Sequence, residues 1–139
     1  MITPCIIQWP AKIKPTNGYA NQVGHLIDLL PTSLELAGVK ATGLPGESLS
    51  YLWNGKKTSS RTYCWEHEGN KAMRKGNWKL VKDMEDPTWE LYDLEKDPTE
   101  SKDLAVTFPG RVNEMLAEYE VWAKKVGVQE FKKSGNKGE

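Results

Sequence analysis

The sequence predicts an α+β fold: a four-stranded antiparallel sheet packed against a C-terminal helix, preceded by a strand and a helix. Three observations lead there. From Arg61 onward, short runs rich in aromatic and branched residues follow one another: Thr62 to Glu66, Lys71 to Arg74, Trp78 to Lys82 and Trp89 to Asp93. The gaps between them are Gly69-Asn70, Lys75-Gly76-Asn77 and the Asp83 to Pro87 loop. Such gaps allow hairpins but no parallel crossover, so the sheet is a meander. Beyond it, Val112, Met115, Leu116, Tyr119, Trp122, Ala123 and Val126 fall on one helical stripe between Pro109 and Val126, and this stripe is the sheet's cover.

The elements can be justified in order. Cys5 to Trp9 is a nearly continuous apolar run closed by Pro10, which reads as a strand covered on both faces. Pro15, Asn17 and Gly18 mark a turn. A helix is predicted from Asp28 as N-cap to Ala37. Pro31 then sits in the first turn, where a missing N–H is harmless, and Gly38 takes the left-handed C-terminal position. Leu29, Leu30, Leu34, Leu36 and Ala37 leave that helix little polar surface, so it should pack on a large body. Gly43 to Ser60 reads as a connection anchored by Leu49 to Trp53. Within the sheet, Trp78, Leu80 and Lys82 alternate with Lys79 and Val81, as expected when one face is covered and the other partly exposed. Phe131 to Glu139 reads as a frayed tail. The expected divisions are residues 1–60, 61–126 and 127–139.

Composition excludes more than it suggests. The 139 residues are 38% hydrophobic and 27% charged, and 19 basic residues balance 19 acidic ones. A neutral total leaves no footprint for nucleic acid or an anionic membrane. No run approaches the roughly 18 apolar residues of a membrane helix, and the first residues form no signal peptide. The two cysteines are too few for a disulfide framework, lack zinc-site spacing, and read as buried thiols.

The motifs carry the functional reading. Trp65-Glu66-His67-Glu68-Gly69-Asn70, Arg74-Lys75-Gly76-Asn77-Trp78-Lys79-Leu80-Val81 and Trp89-Glu90-Leu91-Tyr92-Asp93-Leu94 are closely spaced, and Asp97-Pro98-Thr99-Glu100-Ser101-Lys102-Asp103-Leu104-Ala105 follows them. Upstream stand Thr3-Pro4-Cys5-Ile6-Ile7-Gln8-Trp9-Pro10 and His25-Leu26-Ile27-Asp28-Leu29-Leu30-Pro31-Thr32. In this order, over residues 3 to 126, the chain resembles the C-terminal portion of a formylglycine-dependent, arylsulfatase-like sulfatase of the alkaline-phosphatase-like superfamily. The resemblance implies a parent that hydrolyses aryl or carbohydrate sulfate esters with formylglycine and a divalent cation, typically calcium. It also implies an extracytoplasmic parent, periplasmic, secreted or lysosomal. The family makes formylglycine in a Cys-x-Pro-x-Arg motif, whereas here Cys5 precedes Ile6-Ile7 and Cys64 precedes Trp65-Glu66.

The chain therefore reads as a truncated piece with no catalytic residue and no metal ligand, inactive by itself. Its first strand and helix would belong to the main α/β domain. Left alone, residues 1–40 would be poorly ordered, repacked, or paired with another copy, while residues 61–126 hold together. Two alternatives stay open: a non-catalytic binding module of the same shape, and part of a related phosphoester or phosphonate hydrolase.

Glu66-His67-Glu68-Gly69-Asn70 is the candidate site. On a strand, Glu66 and Glu68 share one face and His67 takes the other, while Gly69 permits a turn. Imidazole, carboxylate and carboxamide at a hairpin tip suit the hydroxyls and anionic group of a sulfated sugar. By resemblance the tip faces the mouth of the sulfatase pocket, which makes His67, Glu68 and Asn70 the substrate-binding candidates. The competing reading is a surface turn with solvated charges. Three consecutive strand residues cannot converge on one metal ion. Asp83, Glu85 and Asp86 lack the glycine and distant glutamate of a calcium loop. Arg74 and Lys75 beside Trp78 read as an aromatic core with solvated cations rather than a nucleic-acid surface, and His25 reads as structural.

Overall fold

The computed structural model describes residues 5–13, 22–40, 42–54 and 61–131. The chain divides into two compact units, Met1–Ser59 and Ser60–Glu139. In the first unit, a 3-10 turn over Leu26–Asp28 leads into helix α1, Leu29–Leu36. Asp28 stands at the N-cap as expected, but its carboxylate makes no cap bond to α1. It works outward instead. Asp28 Oδ2 accepts the His25 N–H at 2.8 Å and Oδ1 accepts the Glu47 N–H at 2.9 Å. The Thr32 hydroxyl donates to the Asp28 carbonyl at 2.5 Å and accepts the Leu49 N–H at 2.8 Å. One turn of helix thus holds a segment seventeen to nineteen residues away.

Close packing supports the same join. A Cβ on Gly46 would lie 2.0 Å from the Ile27 carbonyl oxygen, so only glycine lets the segment come this near. His25 is structural, its Nδ1 accepting the Ile27 N–H at 3.2 Å. Helix α1 ends at Ala37, with Gly38 at φ +73. The apolar anchor is present: Leu49 and Tyr51 are buried, Tyr51 opens the short helix α2, Tyr51–Asn54, and its hydroxyl donates to the Val23 carbonyl at 3.1 Å.

Cys5–Trp9, expected as a covered strand, forms no ladder in the structure, and Ile6 is 94% exposed. A strand needs neighbours to take its backbone groups, and the sheet is complete without this segment. Cys5 is accordingly exposed rather than buried. Leu26, Leu29, Leu30, Leu36 and Val39 are exposed as well. The turn at Pro15, Asn17 and Gly18, the Lys56 to Ser60 tract and most of the tail lie outside the described residues.

The second unit is the expected meander. Strands β1, Thr62–His67, β2, Asn70–Lys75, β3, Trp78–Lys82, and β4, Glu90–Asp93, pair antiparallel in the order β1-β2-β3-β4. Cys64, Met73, Leu80 and Leu91 stand opposite one another across it. Helix α3, Pro109–Val126, begins on a proline and ends at Gly127 with φ +75. It lays Met115, Tyr119 and Ala123, spaced one turn apart, on Met73, Leu80 and Leu91. Val112, Leu116 and Trp122 flank this core, but Val126, expected on the stripe, is exposed.

Polar contacts fix the layers. Lys75 pairs with Glu114 at 2.9 Å and also with Glu118, tying β2 to α3. Cys64 packs half-buried against the core, where burial and the nearby Glu118 carboxylate push its thiol up to about 11. Asp103 Oδ1 accepts the Leu91 N–H at 2.9 Å and the Leu91 carbonyl accepts the Leu104 N–H at 2.8 Å, closing the open edge of β4.

Candidate functional site

The β1–β2 hairpin turns on Glu68 and Gly69, at φ +50 and +85, with His67 opposite Asn70. Two consecutive left-handed residues make the tight turn whose twist matches the strands it joins. The turn thus falls one residue earlier than the letters Gly69-Asn70 suggest, and Asn70 opens β2. Its backbone is held from three sides. Glu66 Oε1 accepts the Gly69 N–H at 2.9 Å, Asn70 Nδ2 donates to the His67 carbonyl at 3.2 Å, and Asn70 Oδ1 accepts the Met84 N–H at 3.1 Å. Met84 also closes over Gly69, where a Cβ would lie 2.7 Å from its Cγ.

The candidate side chains divide by role. His67 and Glu68 have side chains 85% and 67% exposed, with His67 Nε2 4.0 Å from Glu68 Oε2. Asn70 is engaged at both ends of its amide and retains one N–H and one lone pair. Strand alternation sends Glu66 to the α3 side of the sheet and His67 to the opposite face. On that opposite face Trp65, Ala72, Val81 and Glu90 form one row across all four strands. Together with His67 and Asn70 they line an open depression of about 340 Å³. Trp65 and Glu90 were not among the sequence candidates, although the i, i+2 spacing of Trp65 and His67 already places them on one face.

The other candidates fall into structural roles. Asp86 Oδ1 accepts both the N–H and the hydroxyl of Thr88, at 2.8 and 2.6 Å, bonds that hold its carboxyl below the usual range. Asp83 Oδ1 accepts the Glu85 N–H at 2.7 Å. Among the described residues, no group of three or more His, Cys, Asp or Glu side chains could hold a metal ion. Arg74 donates to the Gly76 carbonyl at 3.0 Å, and Trp78 packs edge-on to Phe108 with Arg111 over its ring.

With this geometry in hand, the similarities to known proteins are specific. Residues 1–120 match the family described as N-sulphoglucosamine sulphohydrolase, C-terminal. The chain is 33% identical over 141 aligned positions to an uncharacterised sulfatase of Schizosaccharomyces pombe, covering 90% of this chain and 25% of that protein. It is 30% identical to the N-acetylgalactosamine-6-O-sulfatase of Bacteroides thetaiotaomicron, covering 81% of this chain and 25% of the enzyme. A solved structure concerned with glycosaminoglycan metabolism in the same bacterium superposes with a TM-score of 0.68 at 24% identity, over 84% of this chain and 28% of that one, and so shares its fold. The chain spans about a quarter of the length of these relatives. Sheet, helix and motif order together place it in one family: the chain belongs to the sulfatases, as a C-terminal domain of the N-sulphoglucosamine sulphohydrolase type.

Proposed function

We propose that this chain is the substrate-recognising C-terminal part of a sulfatase acting on sulfated carbohydrates, with His67 and Glu68 as its ligand-facing residues and Asn70 as their support. The observation that carries the reading is the contrast at the hairpin tip. Its backbone is fixed by Glu66, Asn70 and Met84, while the imidazole and carboxylate it presents stand in solvent. Polar groups held on a fixed frame lose little entropy when they bind, which is what recognition requires. The N-acetylgalactosamine-6-O-sulfatase relative supports a carbohydrate sulfate as substrate. Neither cysteine stands in a Cys-x-Pro-x-Arg motif, so the chemistry at sulfur is assigned to no residue of this chain. Residues 61–126 form the recognising part, and residues 1–60 the tail end of the catalytic main domain with its connecting segment. A location outside the cytoplasm follows from the family resemblance alone.

The test is His67→Ala in a protein that also carries a catalytic portion. kcat/KM for a sulfated saccharide should fall roughly 10- to 100-fold, the loss of one or two polar contacts, and less for a nitrophenyl sulfate. Equal losses on both substrates would mean damage to the fold or to the chemistry. No turnover of any sulfate ester by the intact protein would favour a non-catalytic module or a phosphoester hydrolase instead.

A further inference from the structure

One row of the sheet breaks a rule that the rest of it keeps. Lys71 on β2 and Lys82 on β3 are direct partners across the ladder, and like charges set opposite one another weaken a sheet. The other lysines of the sheet are neutralised, Lys75 by Glu114 and Glu118, and Lys79 by Glu100. Among the described residues, Lys71 and Lys82 form no ion pair. Glu66, which faces Lys71 from β1, gives Oε1 to the Gly69 N–H. The Asp86 carboxyl is held low first by its bonds from Thr88 and last by the charge of Lys82, so Lys82 has a neighbour there but no partner. The Lys71 ammonium sits 5.9 Å from the centre of the buried Tyr119 ring, a contact that steadies the cation without neutralising it.

Both lysines are half-exposed and stand beside the recognition hairpin. β1 ends at His67, β2 begins at Asn70 and β3 ends at Lys82, and Lys71 and Lys82 line the same open depression as His67 and Asn70. Asp83 and Glu90 line it too, each with one oxygen already engaged, by the Glu85 N–H and the Tyr92 hydroxyl. Two uncompensated ammonium groups beside such acceptors suit a ligand that carries an anionic group among hydroxyls. We infer that Lys71 and Lys82 form an anion subsite, which takes the sulfate or carboxylate of a saccharide unit next to the one read by His67. Strand alternation sends the lysines to the α3 side and His67 to the other, so the saccharide crosses the end of the sheet between them. An oxyanion held by both ammonium groups removes the repulsion that the bare sheet carries. The inference rests on the carbohydrate reading above and narrows it to oligosaccharides with a second anionic group.

The experiment is a two-dimensional NMR titration of the whole chain. The probes are a hexasaccharide of chondroitin 6-sulfate, its desulfated form, and a neutral form that is desulfated and carboxyl-reduced. The native hexasaccharide should shift the Asn70, Lys71 and Lys82 amides. Lys71→Gln with Lys82→Gln should weaken its binding about tenfold, the loss of two charge-assisted contacts, while Lys124→Gln with Lys125→Gln, an equal loss of charge at the exposed end of α3, should leave it within about twofold. A fall in affinity already at the desulfated form identifies sulfate as the group held, and a fall only at the neutral form identifies the carboxylate. A neutral form bound as tightly as the native one would overturn the subsite. So would equal losses in the two double variants, which would be attraction to the surface at large, or no shift at the two lysine amides. Lys82→Gln alone should raise Tm by about 1–4 °C through the repulsion it removes, and a lower Tm would show instead that the pair serves the fold. A loss of turnover in His67→Ala without binding at the lysines would leave the carbohydrate reading standing and the subsite refuted, so the two fall separately.

Discussion

Replacing Glu68 with asparagine should stabilise the second unit while weakening the proposed site. Glu68 occupies the first position of a two-residue turn at φ +50. A left-handed backbone costs an ordinary L-residue about 1 kcal/mol, and asparagine before glycine pays much less. Against that gain stands the His67–Glu68 contact, long at 4.0 Å and largely solvated, which contributes a few tenths of a kcal/mol at most. The net should be a stabilisation of about 0.5–1 kcal/mol. For a unit of this size that raises Tm by roughly 2–8 °C, and the urea midpoint by several tenths molar. Thermal and urea unfolding of Glu68→Asn beside the parent chain measure it. Gly69→Ala is the opposing control, since φ +85 and a 2.7 Å approach to Met84 Cγ should make it destabilising by about 1–2 kcal/mol. A Glu68→Asn variant no more stable than the parent would refute the claim that this turn carries strain.

Three further outcomes are expected. Asp28→Ala removes the acceptor of the His25 and Glu47 N–H groups and should destabilise the first unit by about 2–4 kcal/mol, seen as faster hydrogen exchange at Glu47 and Leu49; unchanged exchange would show that the join does not hold the unit. Lys75, and then Arg111, hold the Glu114 carboxyl below its usual range, as the Lys102 and Ser101 N–H groups and neighbouring hydroxyls do for Asp97. Folded values below unfolded ones mean stability that is present above about pH 4 and lost as pH falls through the folded values. At the alkaline end, burial raises Tyr92 and Tyr119 to about 12, so stability should decline as pH rises from 10 toward 12; urea midpoints across both ranges check the signs. The chain alone should release no nitrophenol from an aryl sulfate with calcium present, and turnover that survives repurification and scales with protein would place a catalytic group inside it.

Much of the second unit was legible because its gaps left few choices. Loops as short as Gly76-Asn77 cannot carry a parallel crossover, so four strands in a row had to form a meander. Met115, Tyr119 and Ala123 followed from a single helical period. The turn at the tip was harder. Gly-Asn reads as turn chemistry, but the chain turns on Glu-Gly, because Asn70 is needed as the strut between the His67 carbonyl and the Met84 N–H. A turn one residue later would have set Met73 opposite Glu66 instead of Cys64. The first unit hid its main device for a different reason. Asp28 looks like an N-cap in any helical reading, and nothing local reveals that its carboxylate reaches Glu47.

The same limit explains which part of the candidate site could be read. Motif order brought His67, Glu68 and Asn70 forward together, but spacing alone could not separate ligand-facing groups from supporting ones. The distinction lies in bonds made across the sheet. Asn70 spends its amide on the fold, and Glu66, the first carboxylate of the motif, spends an oxygen on the Gly69 N–H. What remains at the tip is an imidazole and a carboxylate on a backbone that Glu66, Asn70 and Met84 hold in place. Glu68 is a poor choice for its own backbone geometry, and asparagine would serve the turn better. Local rules are broken most readily where a side chain has work that the fold does not require. By that reasoning Glu68, the least suitable residue of the hairpin, is the one to test beside His67 for a part in recognition, while the Asn70 amide is bonded into the frame.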